Sequence, residues 1–306
     1  ITKTILILGY TSHEYAKVLA DNDITQTLVD ESHALELNEA AKAANVTVKG
    51  HIKLDTGMSR AGLFAQGHDA AMKAAEAVER MSKLSNVKVT GMYTHFCVAD
   101  TPDQDEFTAW QLENYKTVMN YLTEKGLRPE TCHTSNSAGI LYHPETQIDM
   151  VREGVILYGM YPDSMPQYGP LKPVMTLKSH VSQVRDFPAG ATVSYGRTFK
   201  GDKPFTTAVV LAGYADGYPR RLSNNTTVTI NGVRYPQAGR ICMDMCMVLA
   251  DKDKVKRGDE VTLIGGNSIS WEDAAQKVGT INYELTCLVT NRVPSVHKRG
   301  LIKQFH

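Results

Sequence analysis

The sequence predicts a (β/α)8 TIM-type barrel that lacks about two N-terminal βα units and is followed by a mainly antiparallel β domain. Strand-like and helix-like segments alternate as far as about residue 155, which predicts βαβ units and a parallel sheet. Only about six strands occur there, whereas a closed barrel needs eight. After Pro173, short β-branched runs separated by turn signals replace this alternation. We therefore place the barrel at residues 1–171 and the β domain at residues 172–306.

Each element of the first part has a local basis. Residues 4–9 are a continuous apolar run, as expected of a strand buried on both faces. Ser12 is expected to cap a helix that reaches about Ala20, and Ser32 to cap the helix after the short strand 27–29. The pattern predicts further strands at 46–54, 87–94, 131–134 and 148–151, and further helices at 68–85, 103–125 and 138–142.

The sequence pattern of the second part is typical of an antiparallel sheet. Asn231-Gly232 separates two β-branched runs, at residues 227–230 and 233–235, which is a strong hairpin signal. Only residues 271–288 have a helical pattern again. The second part is therefore predicted to be mainly β.

Composition excludes several classes of function. Lys plus Arg and Asp plus Glu both number 33, so no broad charge favours nucleic acid or an anionic membrane. No apolar run reaches the roughly 18 residues of a membrane-spanning helix, and no signal peptide opens the chain. Five cysteines form no disulfide framework, so we expect a reduced, cytoplasmic protein. Cys242, Asp244 and Cys246 share one face of a predicted strand but lack histidine partners, so no metal site is predicted.

Several polar residues at predicted strand ends allow two interpretations each. Arg60 follows a buried strand and either binds an anionic ligand or lies in a surface turn. Lys53, inside that strand, is either a buried amine with modified chemistry or reaches outward to solvent. His95 ends the next strand and either contacts a flat ligand or is a structural histidine.

A phosphate site is one interpretation of two later stretches. Asn136 and Ser137 precede a helix-like segment, so they suit either a phosphate at the helix N-terminus or an ordinary cap. Arg152, Gly154 and Val155 repeat this arrangement at the next strand end. In many barrels the loops after the last two strands hold a phosphate. Phosphate binding and ordinary helix capping are therefore equally favoured here.

Two Tyr- and Gly-rich stretches, 193–197 and 213–220, contain Tyr195 and Tyr214. A tyrosine can act as an acid or base where a nearby charge lowers its pKa, and it can also simply pack in a turn. No phosphate-binding GxxxxGK[ST] motif, GxSxG nucleophile motif or dinucleotide-binding GxGxxG motif is present.

Together these segments resemble the alanine racemase family. The matching strings follow the family's order from about residue 48 to 294, which covers most of the chain. Each string is weak alone, but the ordered set is specific. They are LDTGMSRAG, YTHF, NSAG, MVREGVILYG, VSYGRTF, GYADGYPR, GRICMD, INYELTC and RVP.

The resemblance implies a cofactor, pyridoxal 5'-phosphate (PLP), and a role for each matched residue. Arg60 would bond the phenolic oxygen of the cofactor and contact the substrate, and Lys53 would be carbamylated and hold Arg60. Arg152 would bond the pyridine nitrogen, which would stay largely unprotonated because a guanidinium does not give up a proton. The other implied cofactor contacts are His95 at the ring and Asn136, Ser137, Gly154 and Val155 at the phosphate.

Racemisation needs one base on each face of the α-carbon. In the family one base is a Schiff-base lysine, and the other is a tyrosine from the partner subunit, which maps to Tyr195. Met243, also supplied by the partner, would bind the substrate carboxylate through its backbone, and Tyr214 would orient nearby groups. The resemblance therefore implies a homodimer that acts on a small amino acid.

One departure from the family concerns the lysine. The family's motif, a Lys followed shortly by Tyr-Gly-His-Gly, is absent from this sequence. It belongs to the first barrel strand, in the part that the strand count finds missing. We therefore expect this lysine before Ile1, within about 60–70 further residues at roughly 30 per βα unit. The chain as printed would be inactive.

The second departure concerns the substrate. Alanine racemases usually carry Tyr just before Arg-Val-Pro, and Asn291 stands there. This resembles the serine racemases of vancomycin-resistance clusters, whose racemase domain follows a membrane-embedded domain. We therefore expect serine and alanine as substrates, with a possible tether to the membrane. The alternatives are an alanine racemase for cell-wall D-alanine and a non-catalytic PLP-binding protein. A fold-related PLP decarboxylase is disfavoured, because this sequence has no acidic partner motif for the pyridine nitrogen and Arg152 stands in that place.

Overall fold

The first half of the chain forms a parallel sheet with helices between its strands. The computed structural model describes residues 3–162 and 169–297, and the chain divides into two units, residues 1–154 and 155–306. The strands of the first unit are β1 Ile5–Ile7, β2 Ile24–Leu28, β3 Val48–Asp55, β4 Leu63–Phe64, β5 Val87–Tyr93 and β6 Thr131–His133. Its helices are α1 Ala16–Asp21, α2 Glu31–Ala43, α3 His68–Met81, α4 Asp105–Glu124 and α5 Ser137–Tyr142.

The sheet of the first unit runs in the order β1, β2, β3, β5, β6, with every pair parallel and β4 added beside the end of β3. Every strand except β3, which leads into β4, is followed by a helical segment, and such segments are the usual connection between parallel neighbours. Apolar residues on one face of the sheet pack against the helices, among them Ile52, Leu54, Met92 and Cys132. The predicted barrel-type fold class is confirmed.

One local prediction in α2 needs correction. The helix is capped by Asp30, whose carboxylate accepts a hydrogen bond from the His33 N–H at 2.7 Å, and not by Ser32. The helix therefore begins slightly earlier than predicted. Leu37 is fully buried, whereas Leu35 is 49% exposed.

The predicted strand at 148–151 is wrong. Asp149 N donates to Cys132 O at 3.1 Å and Arg152 N donates to Ser135 O at 3.0 Å. These two bonds lay the segment beside β6, but the segment is not part of the sheet. A β-branched run indicates strand propensity, yet a strand also needs a partner in regular register.

The second unit is built around a long antiparallel strand. Its strands are β7 Leu177–Phe187, β8 Thr192–Val193, β9 Phe199–Lys200, β10 Phe205–Val210, β11 Thr227–Ile230, β12 Val233–Pro236, β13 Cys246–Leu249 and β14 Glu260–Ile264. Its helices are α6 Trp271–Val278 and α7 Asn282–Leu288. The larger sheet runs in the order β12, β11, β14, β7, β10, β13, and β8 pairs with β9.

The predicted hairpin is confirmed as β11 and β12. Asn231 and Gly232 both have positive φ, 50° and 79°, as a two-residue turn that matches strand twist demands. The strand that was expected to carry Cys242 and Asp244 begins only at Cys246, so these side chains do not share a strand face.

Residues 155–161 pack with the second unit. Val174 N donates to Tyr158 O at 3.0 Å, and the Asn282 amide donates to Tyr161 O at 2.9 Å. Tyr161 N donates to the Glu272 carboxylate at 3.3 Å. These bonds account for a division of the chain at residue 154. Across residues 3–162 and 169–297, no helix combines the length and the apolar character that crossing a membrane requires.

A close fit between two strands yields the first test. Gly91 lies directly opposite His51 in the β3–β5 register, and a Cβ on Gly91 would lie 2.4 Å from the His51 ring. Because His51 is buried and hydrogen-bonded, its ring has little freedom to move. Gly91→Ala should therefore destabilise the protein by about 1–3 kcal/mol in urea unfolding. Gly9→Ala is the control, since a Cβ there meets nothing within 4 Å, and equal stability losses would contradict the argument.

Candidate active site

One face of the parallel sheet is polar. Side chains alternate along a strand, so His51, Lys53 and Asp55 share one face of β3, while Ile52 and Leu54 point to the helices. Tyr93 at the end of β5 and His133 at the end of β6 lie on the same polar face, where their rings stack at 4.8 Å. Barrel enzymes place their chemistry at such carboxyl ends of strands.

Arg152 is fixed at the centre of this face. Its guanidinium donates to the carbonyls of Thr94 at 2.7 Å, Thr134 at 3.0 Å and His133 at 3.3 Å, and to His133 Nδ1 at 2.6 Å. Its Cζ lies 5.1 Å from the centre of the Tyr93 ring. Burial lowers the pKa of Arg152 to about 10, which still leaves it charged at neutral pH.

The Arg152 contact sets the protonation of two histidines. A guanidinium can only donate, so His133 Nδ1 must accept, and the ring proton of neutral His133 sits on Nε2. That proton is donated to His51 Nδ1 at 3.0 Å. Burial lowers the pKa of His133 to about 2 and that of His51 to about 4, so both are neutral. Arg152 therefore ends a directional chain of hydrogen bonds.

Lys53 adds a second buried cation-forming group. It is only 5% exposed, and its Nζ lies 5.8 Å from the centre of the Tyr93 ring. Among the described residues, Nζ forms neither a hydrogen bond nor an ion pair. Burial and repulsion from Arg60 and Arg152 lower its pKa, against attraction from Asp55. The amine therefore loses its proton more readily than an exposed lysine.

The Arg60 loop is shaped by Asp55. The Asp55 carboxylate accepts from Ser59 N at 2.8 Å and from Gly57 N at 3.2 Å. These bonds bend the chain sharply after β3, with Ser59 at a φ of 54°. Arg60 itself is exposed and is close enough to Lys53 to lower its pKa. The loop therefore brings an exposed cation to the edge of the polar face.

His95 joins this group. Burial, together with repulsion from Arg152, Arg60 and Lys53, lowers the pKa of His95 to about 4. It is a neutral ring surrounded by positive groups. The first unit thus gathers four predicted site residues on one face, with an excess of positive charge that suits an anionic ligand.

The predicted phosphate-site residues of the first unit also lie together. The Asn136 side chain caps α5 by accepting from Gly139 N at 3.0 Å, and its amide donates to Phe96 O at 3.2 Å. The Ser137 hydroxyl accepts from Gly154 N at 2.9 Å. A Cβ on Gly154 would lie 3.1 Å from that hydroxyl, so Gly154 and Ser137 approach closely. Val155 begins the second unit and is buried.

In the second unit, two loops bring Tyr214 close to Met243. Tyr214 N donates to Cys242 O at 3.1 Å and Ala215 N donates to Met243 O at 3.0 Å. A Cβ on Gly213 would lie 2.3 Å from these carbonyl oxygens, so only glycine permits the approach. Tyr195 is 71% exposed and Met243 is 53% exposed, so both present their side chains at the surface of this unit.

Asn291 is joined to the same loops through its neighbour. The Arg292 guanidinium bridges Asp244 at 2.8 Å and Asp216 at 3.0 Å. Since Asp244 follows Met243, this bridge holds the Asn291 segment beside the loop of Met243. Asn291 itself is exposed in the unit.

Sequence reasoning missed the residues that position others. The sequence does mark His51 and His133, because each interrupts an apolar strand. Since side chains alternate along a strand, each stands at a position whose side chain points away from the helices. Arg292, Asp216 and Asp244 each adjoin a matched motif, but their pairing across up to 76 residues could not be read from spacing.

Comparisons with known proteins agree with this arrangement. A family model for the alanine racemase N-terminal domain matches residues 1–162, and one for the C-terminal domain matches residues 174–297. An alanine racemase of Clostridium novyi (strain NT) is 41% identical over 300 residues, which is 96% of this chain and 76% of that protein. One of Methanococcus maripaludis is 40% identical over 303 residues, covering 97% and 79%.

Solved structures give the same result. The alanine racemase of Clostridium difficile 630 has a TM-score of 0.88 at 38% identity, covering 96% of this chain and 76% of that one. The alanine racemase of Bacillus anthracis with bound L-Ala-P has a TM-score of 0.83 at 31% identity, covering 96% and 75%.

The buried histidines predict a pH dependence of stability. Unfolded histidine binds its proton near pH 6.5, whereas folded His51 and His133 do so only near pH 4 and 2. Their contribution is therefore fully present above pH 6.5 and is lost as pH falls toward 4. Each should add a slope of up to ~1.4 kcal/mol per pH unit to the free energy of unfolding in this window.

His51→Asn tests this slope. The Asn carbonyl can still accept from His133 Nε2, but one titrating group is removed. Urea unfolding at several pH values from 4.5 to 7 should give a shallower dependence in the variant. Parallel curves for the two proteins would show that His51 is not a neutral ring in the folded state.

Proposed function

The chain belongs to the alanine racemase family, and on that premise we propose that it racemises alanine and, through Asn291, also serine. Members of this family are PLP-dependent isomerases. The observation that carries the proposal is the fixed guanidinium of Arg152, surrounded by carbonyls and a neutral histidine. A racemase benefits from a partner that leaves the pyridine nitrogen unprotonated, because a weaker electron sink limits side reactions.

The residues of the first unit fit PLP. When bound, PLP supplies an electron-withdrawing ring that acidifies the α-hydrogen of an amino acid. Arg152 would donate to the pyridine nitrogen without releasing a proton, and His95 would lie against the ring as a neutral group. Ser137, Gly154 N and Val155 N, beside Asn136, would hold the phosphate, and Arg60 would donate to the phenolic oxygen. The cationic surplus of this face supports binding of a dianionic phosphate.

We assign proton transfer on one face of the α-carbon to Tyr195. As a phenolate, Tyr195 would take the proton from one face of the α-carbon; as a phenol, it would donate a proton to that same face in the reverse direction. Met243 would bind the substrate carboxylate through its backbone N–H, and Tyr214, tied to the same loop, would orient the group. The family's second base is a lysine whose motif is absent from this sequence.

We further propose that the active form is a homodimer in which Tyr195 and Met243 serve the partner subunit's cofactor. The high exposure of both side chains in the second unit supports this assignment. We place the domain boundary at residues 171–172, which is supported by family-model matches that end at 162 and resume at 174.

Asn291 favours serine as a second substrate. A smaller polar side chain leaves room for a hydroxymethyl group and can bond its hydroxyl, whereas an aromatic side chain fills that space. One hydroxyl contact discriminates by about 1–3 kcal/mol, so alanine should remain a substrate.

Parallel racemisation assays with L-serine and L-alanine on the purified full-length natural protein test this. Asn291→Tyr should lower the ratio of kcat/KM for serine to that for alanine by about tenfold. Asn291→Leu is the matched control, because it keeps the number and branching of the side-chain heavy atoms and removes the polar group. An unchanged ratio in Asn291→Tyr would leave alanine as the natural substrate, and PLP binding without any turnover would favour the non-catalytic alternative.

Lys53 is proposed to be carbamylated. Its lowered pKa supplies a neutral amine that adds to CO2 with loss of one proton, and the resulting anion would hold Arg60. Protein equilibrated with 13C-bicarbonate should show one carbamate carbon signal in 13C NMR that is lost in Lys53→Ala. The signal should persist in Lys49→Ala, which removes an exposed lysine of the same strand paired with Asp23. Loss of the signal in both variants, or in neither, would refute the assignment.

A further inference from the structure

The residue before Tyr195 has an unusual backbone. Ser194 has a φ of 64° and a ψ of −176°, a region that is essentially restricted to glycine. It lies between β8 and the turn of Tyr195–Arg197, where Arg197 N donates to Ser194 O at 3.2 Å. A residue with a side chain persists in such a conformation only where its surroundings hold it.

Contacts of the Ser194 side chain hold this backbone conformation in place. Its hydroxyl donates to Arg240 O at 2.6 Å. Cys242 Sγ lies 3.5 Å from the serine oxygen and 3.7 Å from Arg240 O, so the single thiol proton can be donated to either acceptor. Ser194 therefore contacts two residues of the segment that leads directly to Met243.

The backbones of the two segments are in contact as well. A Cβ on Gly239 would lie 2.6 Å from Val193 O, and a Cβ on Gly196 would lie 3.3 Å from the Arg240 guanidinium. The backbone of Val193 therefore lies against Gly239, and the Arg240 side chain lies against Gly196 of the Tyr195 turn. Tyr195 itself, by contrast, is largely exposed and has little packing of its own to orient it.

We propose that Ser194 is the positioning residue of Tyr195: its hydroxyl ties the Tyr195 turn to the Met243 segment and fixes the distance between the phenol and the carboxylate-binding backbone. This rests on the proposed function, since it takes Tyr195 as a proton-transfer group and Met243 as the carboxylate contact. Glycine would adopt the same backbone without strain but could not make the tie.

Two variants separate the backbone strain at Ser194 from the hydrogen bond that its hydroxyl donates to Arg240 O. Ser194→Gly removes both the strain and the hydrogen bond, and Ser194→Ala removes only the hydrogen bond. Both should lower kcat by about tenfold or more while KM changes little, because a misplaced base slows the chemical step. Ser182→Ala is the matched control, since the Ser182 hydroxyl also donates to a backbone carbonyl, Val209 O at 3.1 Å, at a β-bulge of β7 where φ is not positive.

The isotope effect distinguishes positioning from a general structural role. The enantiomers have equal free energy, so kcat/KM must fall equally in both directions. Tyr195 acts on only one face, however, so the Cα-deuterium isotope effect should rise for one enantiomer and not for the other. Unchanged isotope effects with reduced activity in both variants would overturn the proposal.

A readout without turnover is hydrogen–deuterium exchange. In both variants the amide of Arg197 should exchange at least about tenfold faster, because opening of the turn then costs less, while the β11–β12 hairpin stays protected. Parental exchange in both variants would overturn the proposal.

Tyr195→Phe distinguishes failure of the proposed role of Tyr195 from failure of the positioning role of Ser194. If it retains parental racemisation, the proposed role of Tyr195 is wrong. If it is inactive while Ser194→Gly and Ser194→Ala are parental in rate and isotope effect, the role of Tyr195 stands and the positioning role of Ser194 is wrong.

Discussion

The bond between the Arg152 guanidinium and His133 Nδ1 determines the state of the polar face. Arginine can neither accept a hydrogen bond nor lose its charge under ordinary conditions, so everything around it must adapt. His133 becomes an acceptor toward Arg152, and His51 becomes an acceptor toward His133. Neither ring can protonate without breaking the chain. The fixed charge of Arg152 thereby keeps two side chains neutral, His133 in β6 and His51 in β3.

The same cation explains why the positive charge on this face is not balanced by negative charge. Before any carbamylation, Arg152 and Arg60 both repel the Lys53 ammonium, and the Asp55 carboxylate accepts from the backbone of its own loop. Charges gathered in a partly buried site without counterions cost free energy until an anion arrives. The first unit is therefore arranged for a ligand that brings negative charge at more than one position, as a phosphorylated pyridine with a phenolic oxygen does.

Local signals in the sequence predicted much of the fold. Asn231-Gly232 gave the hairpin because a two-residue turn demands positive φ, and the alternation of strands and helices gave the parallel sheet. The segment 148–151 failed because strand formation depends on a partner that propensity does not reveal. At the site, the ordered motifs predicted roles for Arg60, His95 and Arg152, and the structure brings both arginines close enough to His95 to lower its pKa. The His51–His133 contact joins residues 82 positions apart, so its geometry could not be foreseen.

The division of labour between the units has an evolutionary consequence. The residues assigned to proton transfer, carboxylate binding and substrate choice, from Tyr195 to Asn291, all follow residue 155, whereas Lys53, Arg60, His95 and Arg152 precede it. A single recombination event between the two coding segments would therefore exchange substrate preference as a block between related genes. The fixed Arg152 chain would be inherited intact from the other parent.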